Sequence, residues 1–240
     1  MENNLLYNDY ELVVTDDGSH SIRFLAINEG YHSTHGAIKE AMHVYILSNL
    51  AHHIGKHHTV YVFEMGFGTG LNAYLTYLYA GAAGCRVHYT AVEAYPIPEG
   101  VYTRLNYAKL CADEIKTLFP TVDFDAASAD FLKLHTADWG KETPISDTFT
   151  LHKHHCAIQD ILLPQGLYHT IYYDAFAPQF QPELWSQDIF EKLRRASSPQ
   201  VMLTTYCCKG DVKRALKAAG YAIEKLPGPK GKREMLRASL

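Results

Sequence analysis

Val60-Tyr61-Val62-Phe63-Glu64-Met65-Gly66-Phe67-Gly68-Thr69-Gly70-Leu71-Asn72 decides how this chain is read. A β-branched and aromatic run meets an acid, then three glycines at alternate positions, then a helical pattern. A buried strand, a tight turn and a helix N-terminus produce that order. Glycine allows positive φ in the turn and lets a ligand lie against bare backbone. The spacing is Gly-x-Gly-x-Gly, not the Gly-x-Gly-x-x-Gly that sets a pyrophosphate on a helix N-terminus. Glu64, just ahead of the glycines, repels a phosphate. The loop therefore favours S-adenosylmethionine (SAM), which has no phosphate, over a dinucleotide. Glu64, Gly66, Phe67, Gly68, Gly70 and Asn72 are the candidate cofactor residues.

Outward from this unit, strand and helix patterns alternate. Residues 11–15 and 21–26 predict a small N-terminal hairpin around Asp16-Asp17-Gly18-Ser19, and a helical pattern runs from Ala37 to near Gly55. Residues 59–64 predict the first sheet strand, 71–80 a helix, 86–92 a strand closed by Glu93, and 101–118 a helix. Residues 124–147 mix a short helix around Phe131-Leu132-Lys133-Leu134 with a turn-rich stretch. Strands follow at 148–153 and 168–173, a helix at 182–195, a strand at 201–206 and a helix at 209–219. Strands at 221–226 and 235–237 finish the chain. The expected fold is α/β and Rossmann-like, a mostly parallel sheet with helices on both faces plus the N-terminal hairpin. Residues 1–36 form the hairpin and lead-in segment, and 37–240 one compact unit.

Composition bounds the function. With 240 residues, 47% apolar and 20% charged, the chain suits one soluble domain able to bury a sizeable core. No apolar run reaches the length of a membrane span, and Met1-Glu2-Asn3-Asn4 does not read as a secretory signal. The five cysteines lack Cys-x-x-Cys spacing, which argues against a disulfide framework or a zinc site. His52, His53, His57 and His58 straddle the helix-stop Gly55-Lys56, and His152, His154 and His155 follow a strand. These read as solvated termini, so no metal is expected. A reduced, cytoplasmic protein is expected. From Lys209 onward nine basic residues face three acidic ones, a balance of +6 that leaves −10 on the rest of the chain. A polyanion held at one face and a solvated helix surface both fit that asymmetry.

Two further sets carry chemistry. Glu93 lies a little over twenty residues past the glycine loop, at a strand end, where one carboxylate can accept both hydroxyls of a ribose. Tyr172-Tyr173-Asp174-Ala175-Phe176-Ala177-Pro178 follows a later strand, and in open α/β sheets chemistry gathers at strand carboxyl ends. Asp174 there can hold an amine by its N–H groups, aim its lone pair and offset developing positive charge. Phe176 and Pro178 offer a stiff apolar wall, and Tyr206 ends the next strand.

Together these segments resemble the methyltransferase domain of the MnmC family. The glycine loop, Asp174-Ala175-Phe176-Ala177-Pro178 with Pro182-Glu183-Leu184-Trp185, and Tyr31-His32-Ser33-Thr34 with Gly36 and Glu40 carry the resemblance. So do Thr205-Tyr206, Val212-Lys213-Arg214, Gly228-Pro229 and Lys232-Arg233-Glu234-Met235-Leu236. The resemblance implies a class I SAM-dependent methyltransferase fold. It also implies methylation of 5-aminomethyl-2-thiouridine at the tRNA wobble position, with Asp174 catalytic. Larger members add an FAD-dependent oxidase domain, for which this chain has no room, so the stand-alone form is expected, without FAD and without metal. Another enzyme would then hand over the aminomethyl group. Lys209, Lys213, Arg214, Lys232 and Arg233 would hold the phosphates of the anticodon stem-loop. The family's adenine-binding acid has no direct counterpart in His154-His155-Cys156-Ala157-Ile158; either Asp160 reaches back or backbone groups read the adenine. Two other readings are an aminopropyltransferase-like enzyme acting on small amines and an inactive SAM-fold RNA-binding subunit.

Overall fold

The structure is a computed structural model that describes residues 7–122 and 127–240; Met1-Glu2-Asn3-Asn4 and Phe124 lie outside the described residues. In chain order the elements are β1 (Tyr10–Val14), β2 (His20–Phe24), β3 (Glu29–Gly30), α1 (Ala37–Ala41), β4 (Thr59–Met65), α2 (Leu71–Ala82) and β5 (Arg86–Glu93). Then come α3 (Glu99–Tyr102), α4 (Tyr107–Lys116), α5 (Ala127–Thr136), β6 (Glu142–Ser146), β7 (Phe149–His155) and β8 (Tyr168–Tyr173). The chain ends with α6 (Gln187–Ala196), β9 (Ser197–Thr205), α7 (Gly210–Ala218), β10 (Ala222–Pro227) and β11 (Glu234–Ser239).

The described residues form two sheets. β1, β2 and β3 make a small antiparallel sheet, and the other eight strands lie in the order β10-β11-β9-β8-β4-β5-β7-β6. Strands β9, β8, β4, β5 and β7 are parallel neighbours, while β6, β11 and β10 run antiparallel at the edges. This is the mostly parallel, doubly wound sheet that the alternating pattern predicts.

The period-2 alternation of β4 feeds two cores at once. Val60 and Val62 face one core with α1, α2, α4 and α5, whereas Phe63 and Met65 face the other with α6 and α7. Truncating a side chain such as Phe63, which has no exposed surface, costs roughly 3–5 kcal/mol. Tyr10 and Ile22 of the small sheet join the first core, so that sheet packs against the body.

Four sequence expectations change. The helix expected from Ala37 to near Gly55 is α1 followed by a wide π-type turn over Met42–Leu47 and a short 3-10 turn at Leu50–His52. Asn49, between those turns, anchors the segment by donating its amide to Ile171 O (3.2 Å), Met202 O (2.9 Å) and Thr204 Oγ1 (3.2 Å). The helix expected at 101–118 divides into α3 and α4. At the break Asn106 accepts from His20 N (2.7 Å) and donates to Gly18 O (2.9 Å), which docks the N-terminal hairpin. The turn-rich stretch before Asp147 contains β6, an edge strand that tolerates Pro144. The helix expected at 182–195 becomes a 3-10 turn, Pro182–Trp185, and then α6, because Ser186 between them is extended.

Candidate active site

The chain runs from β4 through β5 to β7 on one side and from β8 to β9 on the other, so sheet order reverses between β4 and β8. Ligands of open α/β sheets bind in the crevice at such a point. Met65 pairs with Tyr173, which sets Gly66 against Asp174. Gly66 has φ 89°, and a Cβ there would stand 3.2 Å from the Asp174 carbonyl oxygen. The glycine is thus required by its own conformation and by the neighbouring loop. Above it opens a cavity of about 870 Å³, the size range of small-molecule sites.

Asp174 stands in this cavity with both oxygens held. Tyr45 Oη donates to Oδ1 at 2.7 Å, and Asn72 Nδ2 donates to Oδ2 at 2.8 Å. Burial disfavours its charged form and raises its pKa from 3.8 to about 6, while the Tyr45 and Asn72 hydrogen bonds pull the other way. Trp185 Nε1 donates to Phe176 O (2.8 Å) and Tyr206 Oη donates to Ala175 O (2.8 Å), so the loop after β8 is pinned on two sides.

Gly66, Phe67, Gly68, Asn72, Glu93, Phe176 and Tyr206 line the cavity, as does Lys232. Glu93 Oε2 accepts from Gly68 N and Oε1 from Tyr95 N, each at 2.9 Å, and each oxygen keeps a further lone pair for a ligand hydroxyl. Tyr31 lies against Gly68 and meets Phe176 edge-on, with ring centroids 4.9 Å apart. Lys232 pairs with the buried Glu40 and lies 4.1 Å over the Tyr206 ring.

Other sequence candidates sit elsewhere. Glu64 is only 1% exposed and lies beneath the cavity rather than on its wall. Gly70 is the N-cap residue of α2, and a Cβ there would meet the His135 ring. Asp160 is exposed off the wall, while Cys156, Ala157, Ile158 and Gln159 line it. Pro178 lies outside the lining, as do Lys209, Arg214 and Arg233, which are exposed, and Lys213, which is half-buried. Tyr31 and His32, which also line the cavity, were marked in the sequence only as part of the family motif, and Tyr45 was not marked as a site residue at all. Tyr45 reads as one apolar position of a helix, and only the π-type turn aims it at Asp174.

The donor set fits SAM: bare backbone at Gly66 and Gly68, a strand-end carboxylate at Glu93, and a cavity of the right size. Residues 122–240 match a family model described as S-adenosyl-L-methionine-dependent methyltransferase. The tRNA 5-methylaminomethyl-2-thiouridine biosynthesis bifunctional protein MnmC of Burkholderia mallei is 32% identical over 224 residues, covering 86% of this chain and 32% of the relative. The protein of the same name from Aeromonas hydrophila is 31% identical over 223 residues, with the same coverage. This chain therefore spans about a third of the length of the curated relatives it matches. The solved structure of MNMC2 from Aquifex aeolicus superposes with a TM-score of 0.75 at 19% identity, covering 96% of this chain and 70% of that one. Fold and site define a class I SAM-dependent methyltransferase. More narrowly, the chain is an MnmC-like methyltransferase domain.

Proposed function

We propose that this domain methylates the primary amine of 5-aminomethyl-(2-thio)uridine at the tRNA wobble position, giving the 5-methylaminomethyl nucleoside. The observation that carries the reading is Asp174, a carboxylate fixed by two donors in the cavity beside Gly66. The curated relatives' name, which specifies 5-methylaminomethyl-2-thiouridine biosynthesis in tRNA, supports the substrate.

SAM supplies a methyl group on a sulfonium that departs as a neutral thioether. The backbone at Gly66, Phe67 and Gly68 would hold its amino-acid portion, and Glu93 its ribose. Asp174 accepts an N–H of the neutral amine and aims the nitrogen lone pair. Its negative charge offsets the positive charge that nitrogen acquires. Phe176 gives the base a flat wall, and a wobble base can leave its loop without breaking a helix. The basic residues Lys209, Arg214 and Arg233, which are exposed, and the half-buried Lys213 hold anticodon-stem phosphates, so affinity falls steeply with salt. Lys232, tied to Glu40 and Tyr206, orders the cavity wall instead. The reading places the protein in the cytoplasm, receiving its substrate from the enzyme that makes the free aminomethyl group.

The test is mass spectrometry of nucleosides after incubation with SAM and tRNA bearing the free aminomethyl group. SAM-dependent conversion is expected, with Asp174→Asn abolishing turnover but leaving tRNA affinity within about threefold. Methylation or aminopropylation of free polyamines in place of tRNA would overturn the reading.

A further inference from the structure

Beneath the cavity lies a second acid that the methyl-transfer scheme does not use. Both carboxyl oxygens of Glu64 are buried and lack a hydrogen-bond partner among the described residues. Asn72 Oδ1 and the Tyr89 hydroxyl are buried in the same condition, and both residues bear directly on Glu64. Each orphaned polar atom costs about 1–3 kcal/mol. Four such atoms on three neighbouring residues call for one explanation.

Ionised Glu64 does not provide it. A carboxylate only accepts, so it cannot satisfy the Asn72 carbonyl oxygen. Asp174 and Glu93, the other carboxylates that bear on Glu64, both act against a charge there. A proton on Glu64 gives the orphaned Asn72 Oδ1 the donor it lacks, while the Tyr89 hydroxyl bears on the same carboxyl group. The Asn72 Nδ2 group is then left facing Asp174 Oδ2, where it is found at 2.8 Å.

We propose that Glu64 is kept as a neutral carboxylic acid and acts as a positioning residue, locking the Asn72 amide so that its N–H side holds Asp174. Burial, which pushes the Glu64 carboxyl well above the usual range, agrees with this. The role replaces the cofactor contact expected of Glu64 from its place ahead of the glycines. It rests on the methyl-transfer reading only for why the orientation of Asp174 matters to the reaction. Asp174 is also faced by Tyr45 from the π-type turn, Glu40 from α1 and Lys232 from the β10–β11 connection, none of which contacts Glu64 by hydrogen bond.

Glu64→Gln and Glu64→Leu test the proposal on ligand-free protein. The glutamine N–H donates to Asn72 as the acid does, and the leucine cannot. Infrared difference spectra at pH 7.5 should show a protonated-carboxyl C=O band in the parent that is lost in Glu64→Gln and kept in Asp174→Asn. Carboxyl-carbon NMR, with Asp174 assigned from Asp174→Asn, should titrate in Glu64→Gln as in the parent. In Glu64→Leu it should titrate about one unit higher, a tenfold change, because a freed Asn72 turns its oxygen toward Asp174. SAM affinity by calorimetry should stay within about threefold in Glu64→Gln.

A missing band, or a tenfold loss of SAM affinity in Glu64→Gln, would overturn the proposal. If Glu64→Leu does not fold, the band and the Glu64→Gln affinity still decide. If the parent methylates no aminomethyl tRNA, the function reading fails while these ligand-free readouts still decide the role of Glu64.

Discussion

Tyr45 and Asp174, 129 residues apart in sequence, meet through a 2.7 Å hydrogen bond in which the phenol donates to Oδ1. Tyr45 belongs to the wide turn after α1, and wide turns inside helices recur at functional sites. Tyr45→Phe removes one donor to a charged acceptor and little volume. A hydrogen bond to a charged group contributes about 1.5–3 kcal/mol, so kcat should fall roughly 10- to 100-fold. The acidic limb of the pH profile should move upward as the carboxylate loses a partner. SAM affinity, measured by calorimetry, should stay near the parent value; a tenfold loss would place Tyr45 on the cofactor instead.

The Asp174 carboxyl, raised from 3.8 to about 6, sets two pH dependences. Activity on tRNA, measured as kcat/KM, should rise with pH through a midpoint near 6 as the carboxylate forms. Stability runs the other way. The folded state holds this proton more tightly than the unfolded chain, so the contribution is full below about pH 4 and is lost as pH climbs through 6. Denaturant unfolding between pH 4 and 7 should show that decline in the parent. A matching decline in Asp174→Asn would assign it to another group.

Local chemistry made the sheet legible. The β4 run, the three glycines, Glu93 and the Asp174 loop are contiguous signals, and each sits at the strand end that its pattern implies. What stayed hidden depends on contacts between distant segments. The π-type turn is set by Asn49 reaching β8 and β9, and the break between α3 and α4 by Asn106 reaching the first hairpin. Neither asparagine carries a sequence mark of its partner. The C-terminal charge was legible as a sum but not as a surface. Arg214, Lys225, Lys230, Lys232 and Arg237 all have acidic partners, leaving Lys209, Lys213, Lys217 and Arg233 without an ion pair among the described residues. Glu64 shows the other limit: its position marks it as an acid near the glycines, but only its burial separates a contact from a support.

Gly66→Ala tests the glycine loop against a control in the same region. At Gly66 the left-handed φ of 89° strains any side chain, and the neighbouring atom is the Asp174 backbone, which cannot swing away. A loss of about 1–2 kcal/mol in stability is expected, with turnover down at least about tenfold as Asp174 shifts. Gly81, exposed within α2 with nothing within 4 Å of where a methyl would stand, should instead gain roughly 0.5–1 kcal/mol on Gly81→Ala. Thermal denaturation of both variants reads the contrast, and equal behaviour would remove the loop's special status.

Lys153 gives the sharpest stability test, because it buries a cation with little to balance it. It is 1% exposed on β7, donates to His135 O at 2.7 Å, and lies 4.5 Å from the Trp139 ring and 5.0 Å from Phe67. Burial lowers its pKa from 10.5 to about 8, with Asp138 opposing weakly. The unfolded chain therefore binds more protons between those values, and stability should rise with pH from 8 to 10.5. Below pH 8 the full penalty remains, at most about 3 kcal/mol for a shift of this size. Lys153→Met removes the penalty but forfeits the hydrogen bond and ring contacts, about 1–2 kcal/mol together. The variant should be more stable by about 1 kcal/mol at pH 7, and its stability should be flat where the parent's climbs. Urea unfolding at pH 7, 8.5 and 10 measures both. A variant that loses stability at pH 7 while the parent shows no climb would mean that the rings and the His135 carbonyl hold the ammonium as well as water does.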